Sequence, residues 1–288
     1  MGDFNADWLA LREPADRLAR SAPLTQSVCD VLGRGGPLQV LDLAAGTGAN
    51  VRYLAGRLIG EQSWLLVDGD ATLLAQIPAR MSAWGSEQGF ETVRDAEGLV
   101  LRGEHLTCRV ATRCLDLAAL DDVAMFEGRA LVTASALLDL VSERWLGVLA
   151  ERCRRSAATV LFALTYDGRI RCAPEEPEDD LVQELVNRHQ RSDKGFGEAA
   201  GPDATDRAER CFTALGYRVQ RAPSAWELPP DARELQHQLI EGWAHAATAI
   251  APERAASIRS WRERRLAHVA AGRSRLVVGH EDLAAWLP

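Results

Sequence analysis

Short apolar runs recur along the first 165 positions, each closed by a turn or by a stretch with helical spacing. They are Leu38–Leu43, Trp64–Val67, Leu106–Val110, Ala130–Ala134 and Thr159–Leu164. A run of this length without alternation fits a strand buried on both faces, and strands alternating with helices predict a parallel sheet covered on each side. Helical spacing follows the first, second and fourth runs: at about Asn50 to Leu58, around Leu73 to Met81, and in a segment carrying Trp145, Leu146 and Leu149. Ahead of the first run, residues 8–34 read as two short helices. Pro14 suits a first helical turn, Leu24, Val28, Val31 and Leu32 share a face, and Gly33, Gly35, Gly36 and Pro37 stop the second helix. The class is therefore α/β.

After Tyr166 the rhythm breaks. Residues 167–202 are polar and hold an acidic cluster, a helix near Leu181 to His189, and the segment Asp193-Lys194-Gly195-Phe196-Gly197. A helix at 204–215 leads to a strand at Gly216–Val219, two helices at 231–271 are split by Pro252, and Arg275–His280 is the last strand. With no linker composition in sight, the expected organisation is a helical cap at 1–37 and one α/β domain at 38–288, with insertions at about 167–202 and 225–273.

Composition narrows the function classes. The chain has 288 residues, 47% hydrophobic, with a formal net charge of -8. That balance disfavours a dedicated nucleic-acid surface. Lys194 is the single lysine among 33 basic residues, a bias that follows from a GC-rich coding sequence and needs no adhesive role. Six cysteines stand without a C-x-x-C pair or zinc-ligand spacing, so no metal is expected. The acidic start at Met1–Phe4 is unlike a signal core, and no stretch approaches the ~18 apolar residues of a membrane span. These features predict a reduced, soluble, cytoplasmic protein, with monomer and homodimer both open.

The strongest chemical signal is the loop Asp42-Leu43-Ala44-Ala45-Gly46-Thr47-Gly48-Ala49-Asn50. Glycine lets a ligand approach the backbone. A dinucleotide site asks for G-x-G-x-x-G, whereas Val51 holds the last of those positions here. Asp42 at the strand end would repel a pyrophosphate and welcome a cationic ligand. The segment resembles motif I of class I S-adenosylmethionine-dependent methyltransferases, D-x-G-x-G-x-G, with Ala44 as a mild replacement of the first glycine. The resemblance implies a Rossmann-like, seven-stranded, mostly parallel sheet whose last strand is antiparallel, and S-adenosylmethionine as cofactor, with S-adenosylhomocysteine as product. It gives Asp42, Ala44, Gly46, Gly48 and Asn50 to the cofactor loop and has the glycines face the methionine part. It gives Asp68, followed by Gly69, to the ribose hydroxyls, since one carboxylate accepts two hydrogen bonds. Asp116 and Leu117 fall at the adenine, and Ser135 lies in the segment after the fourth strand, beside the methyl group. A helix before motif I closes over the cofactor in many members, so Arg20 or Arg12 would clamp its carboxylate. The alternative for these arginines is pairing at i,i+4, Arg12 with Asp16 or Asp16 with Arg20.

The acceptor side is less legible. Asp139 follows the fourth strand and either faces the transferred methyl or caps the helix beginning near Ser142. Tyr166 follows the fifth strand with the same ambiguity. The insertion supplies Arg188–Gly197, a polar, glycine-flanked segment suited to a lid, in which His189 is either a general base or a solvated helix end. Trp226, Trp243, His245 and Trp261 roof a pocket or pack in the core, and packing is the expectation. No Asn-Pro-Pro-Tyr tetrapeptide follows the fourth strand, where Ala134–Leu137 stands. The expected function is methyl transfer to the oxygen or carbon of a small molecule. The competing readings are a silent methyltransferase-fold binding protein and a nicotinamide-dependent oxidoreductase.

Overall fold

The computed structural model describes residues 5–33, 36–95, 98–118 and 120–288. Met1–Phe4 and Gly35, which entered the sequence reading, lie outside the described residues. Helices α1 (Ala6–Ala19) and α2 (Ala22–Leu32) precede β1 (Leu38–Leu43), α3 (Ala49–Ala55) and β2 (Gly60–Asp68). Next come α4 (Ala71–Leu74), α5 (Ile77–Glu87), β3 (Glu91–Asp95), β4 (Gly98–Arg102) and β5 (Leu106–Cys114). They are followed by β6 (Leu131–Ser135), α6 (Glu143–Ser156), β7 (Thr159–Ala173), α7 (Asp179–Gln190) and α8 (Ala204–Ala214). The chain closes with β8 (Arg218–Pro223), β9 (Trp226–Leu228), α9 (Arg233–Ile250), α10 (Ala255–Ala270) and β10 (Arg275–Trp286).

The sheet runs β3-β4-β5-β2-β1-β6-β7-β10-β8, with β9 added to β10. β5, β2, β1, β6 and β7 are parallel, and β10 is antiparallel to both β7 and β8. This is a Rossmann-like α/β sheet with its last strand reversed, as expected. The described strands number ten rather than seven. The additions are β3, β4 and the three-residue β9. Glu91–Asp95 sits on the sheet edge with mostly exposed side chains and so leaves no apolar run to read.

The parallel strands are buried because both faces are covered. Leu41, Leu43, Leu66, Val132 and Phe162 have essentially no exposure. Burying each such side chain contributes roughly 1.5–3 kcal/mol. One apolar cluster lies under α6 and α8, a second under α3 and α5, and a third joins the outer part of β7 and β10 to α7, α9 and α10. The third holds Trp243 and Trp261, which pack as expected. Beside it, the fully buried guanidinium of Arg265 bonds to the Asp179 carboxylate and the Pro174 carbonyl, tying α10 to the start of α7. A charge this deep is tolerable only when paired.

Two expectations are corrected. Pro14 lies inside α1, not in its first turn; the helix extends further toward the N-terminus because Asn5 caps it by accepting the Trp8 N–H at 2.8 Å. The strand rhythm does not stop at Tyr166, since β7 continues to Ala173 and β10 pairs with it along this extension. The extension is polar on one side because only its other side meets the third cluster. β7 changes direction at Leu164, whose φ of 57° lies in the left-handed region. There the Asp282 carboxylate accepts the Leu164 N–H at 2.8 Å with one oxygen and the Ser21 N–H at 2.8 Å with the other. The helical cap is thereby pinned to the sheet beside the strand ends.

Among the described residues no helix is long and apolar enough to cross a membrane. All six cysteines are free.

Candidate active site

The loop after β1 turns tightly. Ala45 N–H bonds to the Val67 carbonyl at 3.0 Å and Gly48 N–H to the Ala45 carbonyl at 2.8 Å. Gly48 opens α3 in the left-handed region, with φ 81°. Gly46, with φ 52°, has the Leu9 side chain of α1 just 3.1 Å from where a Cβ would stand. A side chain there would be strained and would push against the cap. Ala44 has φ 52° as well. Its replacement of a glycine is therefore not mild, because an alanine held there is disfavoured by about 1–2 kcal/mol. Ala136, just past β6, shares this conformation, as does Leu164 within β7, so the backbone is strained after β1, after β6 and at the turn in β7.

Asp68, at the end of β2, accepts the Gly46 N–H at 2.7 Å on one oxygen and the Asp70 N–H at 2.9 Å on the other. The glycine loop and the β2 end are fixed to each other through this carboxylate, and each oxygen keeps a lone pair for a further donor. Gly69 is exposed and adjoins the Leu115 carbonyl. Asp116 is exposed, its carboxylate accepting the Ala118 N–H at 2.9 Å. Leu117 is buried, and its carbonyl accepts the Trp145 indole N–H at 2.7 Å. These residues lie at the C-terminal ends of β2 and β5, the edge where open α/β sheets bind ligands.

Beneath the cap runs a buried polar chain. Arg20 donates to the Asn50 side-chain oxygen at 2.6 Å. Asn50 donates in turn to Asp42 at 2.6 Å and to Thr133 at 3.1 Å. Arg20 also lies over the Tyr53 ring, 4.0 Å from its centroid. The Arg20 Nε and Nη2 and one Asp42 oxygen are buried with no hydrogen-bond partner. Burial pushes the Asp42 carboxyl up to about 7, against Asn50 and Arg20, which favour its charge. Burial likewise lowers the Arg20 guanidinium, while Asp282 leads the charges that oppose this. The cleft beside these groups is lined by Asp16, Arg20, Asn50, Tyr53, Ser135 and Leu164. Arg20, which lines the cleft with two nitrogens unpaired, suits the carboxylate of an amino acid, and Asp42, buried beneath Asn50, places negative charge under its ammonium. The residues present thus fit the methionine part of S-adenosylmethionine. Of the two arginine alternatives, the Arg12–Asp16 pair forms, at 2.9 and 3.1 Å, and Arg20 is left to Asn50.

Asp139 lies in a short turn after β6 and is 6% exposed. It does not cap α6: Ser142 does, accepting the Trp145 N–H at 3.3 Å. Burial pushes the Asp139 carboxyl up to about 6, although hydrogen bonds from its own backbone and that of Tyr166, and the charges of Arg12 and Lys194, pull it down. The Tyr166 hydroxyl donates to Asn187 at 2.8 Å, and burial raises its pKa, helped by Asp167 and Asp139. His189 is half-buried, 3.5 Å from the Lys194 amine, and its pKa is lowered by burial, then by Lys194 and His245. Lys194 donates to the His189 carbonyl at 3.1 Å and to Ser192 at 2.8 Å. Asp139, Tyr166 and the Lys194–His189 pair thus meet at the β6–β7 end of the edge, away from Asp68 and Asp116.

Sequence reasoning missed His280 and Asp282 and set Trp226 aside as packing. Trp226 donates its indole N–H to Asp16 at 3.0 Å and carries the Arg12 guanidinium 5.0 Å from its ring centroid. The available signal was Gly279-His280-Glu281-Asp282, a polar interruption within an apolar final strand.

No protein-family model and no curated protein matches the chain. Among solved structures it is similar to an S-adenosylmethionine-dependent methyltransferase from Geobacter sulfurreducens in complex with S-adenosylhomocysteine, at 13% identity, with 100% of each chain covered and a TM-score of 0.48. A second is a cyclopropane synthase from Mycobacterium tuberculosis, 11% identical over 99% of this chain and 95% of that one, with a TM-score of 0.49. A third, from Thiobacillus denitrificans, is another such methyltransferase in complex with S-adenosylhomocysteine, 13% identical over 99% of both chains, with a TM-score of 0.45.

Proposed function

We propose that this chain is an S-adenosylmethionine-dependent methyltransferase acting on a small-molecule acceptor at oxygen or carbon. The observation that carries the reading is the Arg20–Asn50–Asp42 chain above the glycine loop, with buried donors and a buried acceptor left open. A pyrophosphate would meet the Asp42 carboxylate and be repelled, which disfavours a nicotinamide site.

When bound, S-adenosylmethionine supplies a methyl group activated on a sulfonium. Arg20 would hold its carboxylate, Asp42 would favour its ammonium from beneath Asn50, and Asp68 would hold the ribose hydroxyls and Asp116 the adenine amino group. Gly46 and Gly48 let the backbone approach. α1 covers the loop through Leu9 and through the Glu13–Arg52 ion pair at 2.6 Å, which keeps water from the reacting centre. Asp139 is the acceptor-side base of this reading: a carboxylate raised to about 6 is ionised at neutral pH yet basic enough to take a hydroxyl proton. Tyr166 positions it through its backbone, and His189 with Lys194 forms the rim.

Calorimetric titration with S-adenosylmethionine, S-adenosylhomocysteine and NADH tests the donor half, with Asp68→Ala alongside. Micromolar binding of both sulfur compounds, lost in the variant and absent for NADH, is the expected result. Binding of NADH alone overturns it. Donor binding with no methyl transfer to any acceptor would make the chain a binding protein that keeps the fold.

A further inference from the structure

Arg20 is held in a way that leaves one side of its guanidinium free. Nη1 donates to Asn50 at 2.6 Å, while Nε and Nη2 are buried without a partner. Those two nitrogens form the side-on fork that matches the two oxygens of a carboxylate. Two neighbouring arginines have the same fork filled. Arg12 grips Asp16 through Nε at 2.9 Å and Nη2 at 3.1 Å, and Arg52 grips Glu13 through Nε at 2.8 Å and Nη2 at 2.6 Å. The cleft beside Arg20 has a volume of about 40 Å³. That is room for a group of carboxylate size, since a single water needs ~10–15 Å³.

One hydrogen bond does not fix a planar cation, which can still turn about it. The second restraint is Tyr53. The Arg20 guanidinium lies over its ring, 4.0 Å from the centroid, and Arg57 lies over the same ring at 3.8 Å. Asn50 and Tyr53 stand three positions apart on α3 and so share a helix face. The first bonds an edge of the guanidinium and the second supports its plane. Arg57 also donates to the Tyr53 carbonyl at 2.5 Å, which anchors the ring from its other cation. Tyr53 is 5% exposed and lines the cleft together with Arg20. A guanidinium stacked on an aromatic face is held most firmly where water is excluded.

We propose that Tyr53 is a positioning residue: stacked on Arg20, it keeps Nε and Nη2 turned to the cleft, so that they take an α-carboxylate as a pair and select donors that retain it. A donor without that carboxylate leaves both buried N–H groups unpaired, and such a gap discriminates strongly. The proposal deepens the methyltransferase reading by naming what aligns its donor clamp, and it rests on that reading for the identity of the ligand.

The probes are S-adenosylhomocysteine and its decarboxylated form, which keeps the amine, titrated into wild type, Tyr53→Phe and Tyr53→Leu. Tyr53→Leu weakens S-adenosylhomocysteine binding by roughly 10–30-fold, the worth of a desolvated contact between a cation and a ring. It leaves the decarboxylated compound unaffected, and Tyr53→Phe, which keeps the ring, binds both as wild type does. Equal losses for the two ligands in Tyr53→Leu, or a phenylalanine variant as impaired as the leucine one, overturn the proposal. A second measurement needs no variant and so survives a misfolded Tyr53→Leu. In the wild-type complex with S-adenosylhomocysteine, the Arg20 Nε–H shows Overhauser contacts to the Tyr53 ring and exchanges slowly with water. A complex without those contacts overturns the proposal. If wild type binds neither compound, the donor reading falls separately. The contacts are then read on the unloaded protein, where their presence supports the positioning and their absence overturns it.

Discussion

The guanidinium of Arg20 and the side-chain oxygen of Asn50 stand 2.6 Å apart, at the C-terminal end of α1 and the start of the helix after the glycine loop. The contact occupies one nitrogen of Arg20 and leaves Nε and Nη2 buried and unpaired. Arg20→Met should therefore weaken S-adenosylhomocysteine binding by about 10–100-fold, the value of hydrogen bonds to a charged partner. 5′-Methylthioadenosine, which has no carboxylate, should bind both proteins alike. Equal losses for the two ligands would show that Arg20 only supports the fold.

Asp139 gives a pH signature. Its folded pKa, about 6, lies above the unfolded value of about 3.9. The native state then holds a proton that the unfolded chain releases, so this group's contribution is full below about pH 4 and is lost as pH rises to about 6. Asp139→Asn removes the effect, so the stability of the variant relative to wild type should climb by on the order of 3 kcal/mol across that window and then level off. Urea unfolding at intervals from pH 4 to 7 checks it; parallel curves would mean an ordinary carboxylate. Methyl transfer should rise over the same range in wild type, as the base ionises.

Ala44 offers a test of backbone strain. With φ at 52°, Ala44→Gly should stabilise the protein by up to about 1 kcal/mol, the relief of strain being partly offset by the freer unfolded chain. Ala44→Val should destabilise it. Denaturant midpoints decide, and a less stable glycine variant would refute the strain.

Asp282 holds the buried backbone N–H of Leu164 and the partly buried one of Ser21, and is the first opposing charge felt by Arg20. Asp282→Ala should cost about 3–5 kcal/mol, because it leaves those groups and a buried cation uncompensated. Asp282→Asn, which keeps one acceptor oxygen, should lose less. A loss below about 1 kcal/mol in the alanine variant would mean that the cap is held elsewhere.

Legibility followed the range of the interaction. The strand Leu38–Leu43 and the loop from Asp42 to Asn50 could be read because burial of a short run and positive φ at Gly46 and Gly48 are local demands on residue type. Asp68 and Asp116 were legible for the same reason, each standing where an apolar run stops. The polar strand β3 escaped because an edge strand has no buried face to announce it. Asp139 carries two meanings in the sequence, and the cap of α6 falls to Ser142.

The sequence by itself determined the α/β class, the parallel strand ends and the cofactor-like loop, since these follow from periodicity within a few residues. Only the tertiary structure decided that Arg20 meets Asn50, 30 positions on, and that Ser21 meets Asp282, 261 positions on. It also brought Trp226, His280 and Tyr166 together. Those meetings depend on the reversed strand β10 lying against the extension of β7 and on α1 folding back over the loop. Such pairings are selected by the burial of whole faces, and no local pattern of residues encodes them.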